Sequence, residues 1–131
     1  MDAYTITRLE EVGDLFDDQY PGKMRLMAPK LGTEQVAFTH RQMPPKSGGK
    51  GGYGHSHKTQ EEVYFVVKGT LQFKLGDEVV DVPGGCAVRV AASTVRSVWN
   101  EGPDDAELII VSTRLDDADG EVEYTPDFWP A

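Results

Sequence analysis

The stretch GHSHKTQEEVYFVVKG, residues 54–69, places two imidazoles and a carboxylate within eight residues and then runs into a strand. In an extended strand, side chains two apart point to the same side, so His55 and His57 face one interior point. Glu62 falls outside that simple alternation. The polar segment from Lys58 to Glu61 lets the chain bend before Glu62 to Val67, which is rich in β-branched and aromatic residues and reads as a strand. Neutral imidazole suits Fe, Ni, Cu and Zn, and a carboxylate adds hard oxygen and negative charge. Two His and one carboxylate with open positions make the facial triad of non-heme iron oxygenases, a set that other metals also accept. Without Glu62, His55 and His57 would read as two solvated loop histidines.

Strand patterning continues beyond this block. Thr70 to Leu75 alternates, with Leu71, Phe73 and Leu75 on one face and Thr70, Gln72 and Lys74 on the other. Gly76, Asp77 and Glu78 supply a hairpin turn into Val79, Val80, Asp81 and Val82. Pro83, Gly84 and Gly85 break the chain before Ala87 to Ala92, where Val88 and Val90 face one side and Arg89 the other. Val95 to Trp99 and Glu107 to Thr113 follow, split by a loop by composition from Asn100 to Asp105. Short strands at roughly 8–12-residue spacing predict a sandwich or barrel.

Toward the N-terminus the pattern is weaker. Leu9, Val12, Leu15 and Phe16 have a helical period, but Gly13 and three aspartates interrupt it, so a short helix or turn is expected. Gln35 to Met43 reads as a strand with Val36, Phe38, His40 and Gln42 on one face. If Val36 and Phe38 face the core, His40 does too and comes near the proposed site, although a lone His there is more often a satisfied core group. PPKSGGKGGYG, residues 44–54, lacks the Gly-Lys-Ser/Thr and following helix of a phosphate loop. It reads instead as a flexible loop at a barrel mouth, where Tyr53 covers a ligand or is simply exposed.

Gly49, His55, His57, Glu62 and Gly69 together are similar to the first motif of the cupin superfamily, and Gly76 to Asn100 resembles the second. The resemblance implies an all-β fold, a jelly-roll β-barrel of the double-stranded β-helix type. It also implies that the His, His and Glu of the first motif are joined by a His from the second. Read in register from Pro83 to Asn100, Arg96 stands where that fourth ligand falls, and Cys86 stands where the motif often has Asp. Arginine stays protonated and has no lone pair to give. Two arrangements follow. In one, a metal on His55, His57 and Glu62 keeps an extra open position and Arg96 orients an anionic substrate. In the other, Arg96 pairs with Glu62 and the cation replaces the metal. Only Glu62 keeps the motif's six-residue interval to Gly69; Glu61 is expected to be solvated, and a local bulge would exchange the two.

Composition sets outer limits. A chain of 131 residues suits one core. Residues 33–115 are expected to form the barrel, residues 1–32 an extension packed on it or on a partner, and residues 116–131 a tail whose Phe128 and Trp129 pack back. The formal charge of −9 argues against nucleic acid or anionic membranes as partners. The single cysteine, Cys86, cannot form an internal disulfide, which points to a reducing cytoplasm. No apolar run approaches a membrane span, and the chain begins without a basic, hydrophobic leader. Both faces of Val63 to Val67 are apolar, which predicts a homodimer covering the outer one.

Three functions fit these readings. One is a metal-dependent enzyme, an oxygenase or isomerase of a small oxygenated acid, with Fe, Mn, Ni or Zn on His55, His57 and Glu62 and with Arg96 on a substrate oxygen. A second is a metal-free barrel that binds or epimerises a sugar or small acid. There His55 or His57 would be a base, Arg96 an anion clamp and Tyr64 an acid, although Tyr64 also reads as a core residue. The third is a noncatalytic barrel that holds a small-molecule ligand.

Overall fold

Leu71 and Phe73 are fully buried while Gln72 and Lys74 keep partial exposure, the period of two expected for a strand with one face in a core. The computed structural model describes residues 3–116 and 120–131. Eleven strands occur among them. They are β1 (Lys23–Leu26), β2 (Val36–Met43), β3 (Ser47–Gly48), β4 (Gly54–His57), β5 (Glu62–Lys68), β6 (Thr70–Leu75), β7 (Glu78–Pro83), β8 (Ala87–Val90), β9 (Arg96–Asn100), β10 (Ala106–Thr113) and β11 (Val122–Thr125). One sheet has the order β1-β2-β10-β5-β8, the other β11-β4-β9-β6-β7 with β3 also on β9. All pairings are antiparallel. The result is a barrel, as the strand spacing predicted, of the jelly-roll type that the resemblance implied.

Between the sheets lie Met43, Tyr64, Val66, Leu71, Phe73, Val82, Val90, Val98, Ala106 and Leu108. Each large apolar side chain sealed there contributes about 1.5–3 kcal/mol. The chain passes from β5 in one sheet to β6 in the other through Gly69, which has φ +77° and packs so closely that a Cβ would sit 2.8 Å from the Asp105 carbonyl oxygen. Only glycine meets both demands. Gly76 and Asp77 make the two-residue turn between β6 and β7, pairing Leu75 with Glu78.

Both terminal segments add edge strands. β1 pairs with β2 and β11 with β4, so each sheet draws on residues outside 33–115. The helical period near Leu9 yields a single 3₁₀ turn, Leu9–Glu11. The short helix α1 (Ala28–Leu31) joins β1 to β2. No described helix is long and apolar enough to cross a membrane. At the other end Trp129 is buried, its backbone pairs with Gly51 and Gly52, and the Phe128 ring fills the space a Cβ on Gly54 would need. The acidic stretch Asp117 to Asp119 lies outside the described residues, as do Met1 and Asp2.

One expectation is overturned. Arg41 is paired with Leu108, and Leu108 with Val66, both fully buried, so β2 turns Ala37, Thr39, Arg41 and Met43 inward. Val36, Phe38 and His40 occupy the outer face, where His40 Nε2 lies 2.6 Å from Glu107 Oε1. The alternation of polarity misled because β2 carries the polar Thr39 and Arg41 on its inward face and the apolar Val36 and Phe38 on its outward one. On the same outer face Val63, Phe65 and Val67 remain 38–39% exposed.

Candidate metal centre

The two histidines come from β4 and the carboxylate from β5, strands of different sheets joined by residues 58–61. That crossing needs its backbone donors satisfied, and Glu121 does so. Its Oε1 accepts the Thr59 N–H at 2.8 Å and the Gln60 N–H at 2.7 Å, and its carboxylate also takes the Thr59 hydroxyl. The His57 N–H donates to the Ala92 carbonyl at 2.7 Å, tying β4 down on the other side. Arg96 on β9 is the direct cross-strand neighbour of His55, and Tyr64 follows Glu62 on the inner face of β5. Five side chains that the sequence singled out thus meet between the sheets.

Glu62 Oε1 is the hub. It accepts from the Tyr64 hydroxyl at 2.7 Å and from Arg96 Nη2 at 2.9 Å, and it lies 3.5 Å from His55 Nε2 and 3.3 Å from His57 Nε2. Donor atoms of His55, His57 and Glu62 all fall within 4.8 Å of one another, so these residues could hold a metal. The spacing suits a shared ion: two ligands bound at ~2.1 Å and about 90–110° apart sit ~3.0–3.4 Å from each other. His57 gives a second test of fit. Both of its ring nitrogens are buried without a hydrogen-bond partner among the described residues, a cost that coordination would remove at Nε2. Its Nδ1 lies 3.8 Å from Glu121 Oε1, so a carboxylate stands behind the candidate ligand.

Charge states follow from the surroundings. Burial pushes the Glu62 carboxyl up, but hydrogen bonds from His55 and Tyr64 and the nearby His57 and Arg96 charges outweigh it and bring it to about 2. Burial, Glu62 and its hydrogen bond raise the Tyr64 phenol, which therefore stays a donor. Burial lowers His57 despite the attraction of Glu62, leaving the neutral imidazole that metals bind.

Arg96 makes the contact of the second arrangement, its guanidinium paired with Glu62. It is 1% exposed, and each guanidinium nitrogen is engaged: Nε with the Tyr64 oxygen at 3.4 Å, Nη1 with the carbonyls of Ala91, Ala92 and Thr94, and Nη2 with Glu62. Elsewhere, Glu61 pairs with Arg89 at the surface at 2.9 Å. Gln42 accepts from Arg25 on the outer face, and Tyr53 packs edge-on against Tyr124. Sequence reasoning missed Glu121 and Arg41. Glu121 sits in an acidic run where one carboxylate looks like another, and Arg41 was placed on the outer face by the inverted reading of β2.

The comparisons agree with the fold. The model of the Cupin domain matches residues 41–112, more than half of the chain, and the protein belongs to the cupin family. No curated protein sequence matches. Among solved structures, a cupin-superfamily sugar phosphate isomerase from Silicibacter pomeroyi superposes with TM-score 0.72 at 14% identity, covering 97% of this chain and 96% of that one. A cupin protein from Bacteroides fragilis gives 0.69 at 16% identity over 88% of each chain. The polyketide cyclase RemF from Streptomyces resistomycificus gives 0.67 at 15% identity, over 83% of this chain and 78% of that one. At such identities the likeness is one of fold.

Proposed function

We propose that this cupin binds a divalent metal (Fe, Mn, Ni or Zn) through His55, His57 and Glu62, and that it acts as an oxygenase- or isomerase-type enzyme on a small anionic or oxygenated substrate. The observation that carries the reading is the pair of 3.3 and 3.5 Å separations around Glu62 Oε1, next to a buried His57 whose nitrogens have no other partner. A bound divalent ion would act as a Lewis acid on a substrate oxygen. The protein's own residues do the rest. Arg96 and Tyr64 keep Glu62 ionised and oriented, Glu121 steadies His57 and its loop, and the 31% exposure of the His55 side chain leaves an approach for substrate. A reducing cytoplasm suits the exposed free thiol of Cys86.

The Arg96–Glu62 pair at 2.9 Å favours a second reading, a metal-free barrel that binds a sugar or small acid. Metal titration of chelator-treated protein separates the two. Tight, stoichiometric binding that is lost in His57→Ala supports the first. Absence of binding in the wild type supports the second.

A further inference from the structure

β2 carries a cation that the site's own hydrogen bonds leave unused. Arg41 projects from the inner face of β2, in the row of Leu108 and Val66 and one row beyond that of Thr39, Ile110 and Tyr64. Its Nε is sealed from solvent and has no hydrogen-bond partner among the described residues. Arg89, Arg96 and Arg114 each pair with a carboxylate among the described residues, whereas Arg41 has none. The Phe16 ring, from the N-terminal segment, lies 5.4 Å from its Cζ and holds one face of the guanidinium by a cation–π contact. Burial works against the charge.

A guanidinium turned inward beside a candidate binding site, with no anion of its own, lacks what such a group normally meets, a bidentate oxyanion. Arg96 cannot supply that contact because its nitrogens are already committed. By strand spacing, the Arg41 Cα lies roughly 12 Å from that of Tyr64 and roughly 16 Å from that of Glu62, two strands over and two or four residues along, and the long arginine and glutamate side chains shorten the second gap. We propose that Arg41 is the anion-binding residue of this site. The ligand class is then a small bifunctional molecule, with an oxygen group at the His55, His57 and Glu62 cluster and a carboxylate or phosphate several bonds away on Arg41. This deepens the proposed function and rests on reading that cluster as a binding site.

The test is an NMR titration of the zinc-treated full-length protein with succinate and, separately, with inorganic phosphate at constant ionic strength, alongside elemental analysis of bound metal. At least one anion is expected to bind saturably, and which one tells carboxylate from phosphate. Arg41→Met is expected to weaken that binding about tenfold or more with metal content unchanged. Arg41→Lys keeps the charge without the fork, so it is expected to weaken binding severalfold and decides the matter if Arg41→Met does not fold. Unchanged affinity in the folded variants, or no saturable binding of either anion to the wild type, overturns the proposal. Arg41-dependent anion binding in protein that takes up no zinc refutes the metal reading and leaves this one standing.

Discussion

Replacing Glu62 with Gln keeps the shape of the side chain and removes the charge at the centre of the site. Its carboxyl is held at about 2 against an ordinary 4.5, and the side chain is only 13% exposed, so solvent screening is slight. At 1.36 kcal/mol per unit, the depression corresponds to about 3 kcal/mol of folding stability. Arg96, 1% exposed, loses its counter-ion in the same change, which is the same interaction seen from its other partner and adds no separate loss. A carboxyl lowered on folding stabilises fully above its unfolded value, and the contribution fades as pH falls through the folded one. The wild type is therefore expected to exceed Glu62→Gln by about 3 kcal/mol at pH 7, a urea midpoint shift of ~1–3 M. That gap should narrow toward zero between about pH 4.5 and pH 2. The assay is urea unfolding with chelator present, so that metal binding does not contribute. A gap below about 1 kcal/mol at pH 7, or one that does not change with pH, would refute the reasoning.

Other variants test separate parts of the account. Glu121→Gln, which weakens the carboxylate behind His57, should lower metal affinity about 10–100-fold in a chelator competition assay with the fold intact; unchanged affinity means Glu121 serves the loop alone. Arg96→His supplies an imidazole and removes a fixed positive charge beside the cluster, so metal affinity should rise by at least about tenfold, and a fall would contradict the placement of Arg96. The outer face around Val63, Phe65 and Val67 is proposed to be covered by a second copy of the chain. Light scattering should then give a dimer for the wild type and a monomer for Phe65→Glu, and a monomeric wild type removes that proposal.

The parts of this molecule that were legible in its sequence are those where polarity alternates against an apolar core. β6, with Leu71 and Phe73 in and Lys74 out, is one; β8, with Val90 in and Arg89 out, is another. The cluster of His55, His57 and Glu62 was legible because local spacing and a bend bring it together. The pairing of Arg96 with Glu62 was one of two arrangements the sequence left open, and the coordinates show that contact. β2 misleads because its inward face mixes Thr39 and Arg41 with Ala37 and Met43 while Val36 and Phe38 lie outside, so polarity does not mark its two faces. β1 and β11 escaped because four-residue edge strands with charged members carry almost no periodicity. Glu121 reaches His57 only through the β11–β4 pairing, a long-range contact that no local pattern encodes.

The central claim is that two histidines and one glutamate hold a metal where an arginine occupies the fourth position. Elemental analysis of untagged protein, dialysed free of loose ions, tests it most directly. Close to one equivalent of Fe, Mn, Ni or Zn per chain is expected, lost in His57→Ala. Protein that stays metal-free after deliberate loading with each of these ions would contradict it and leave Arg96 as the sole cation on Glu62.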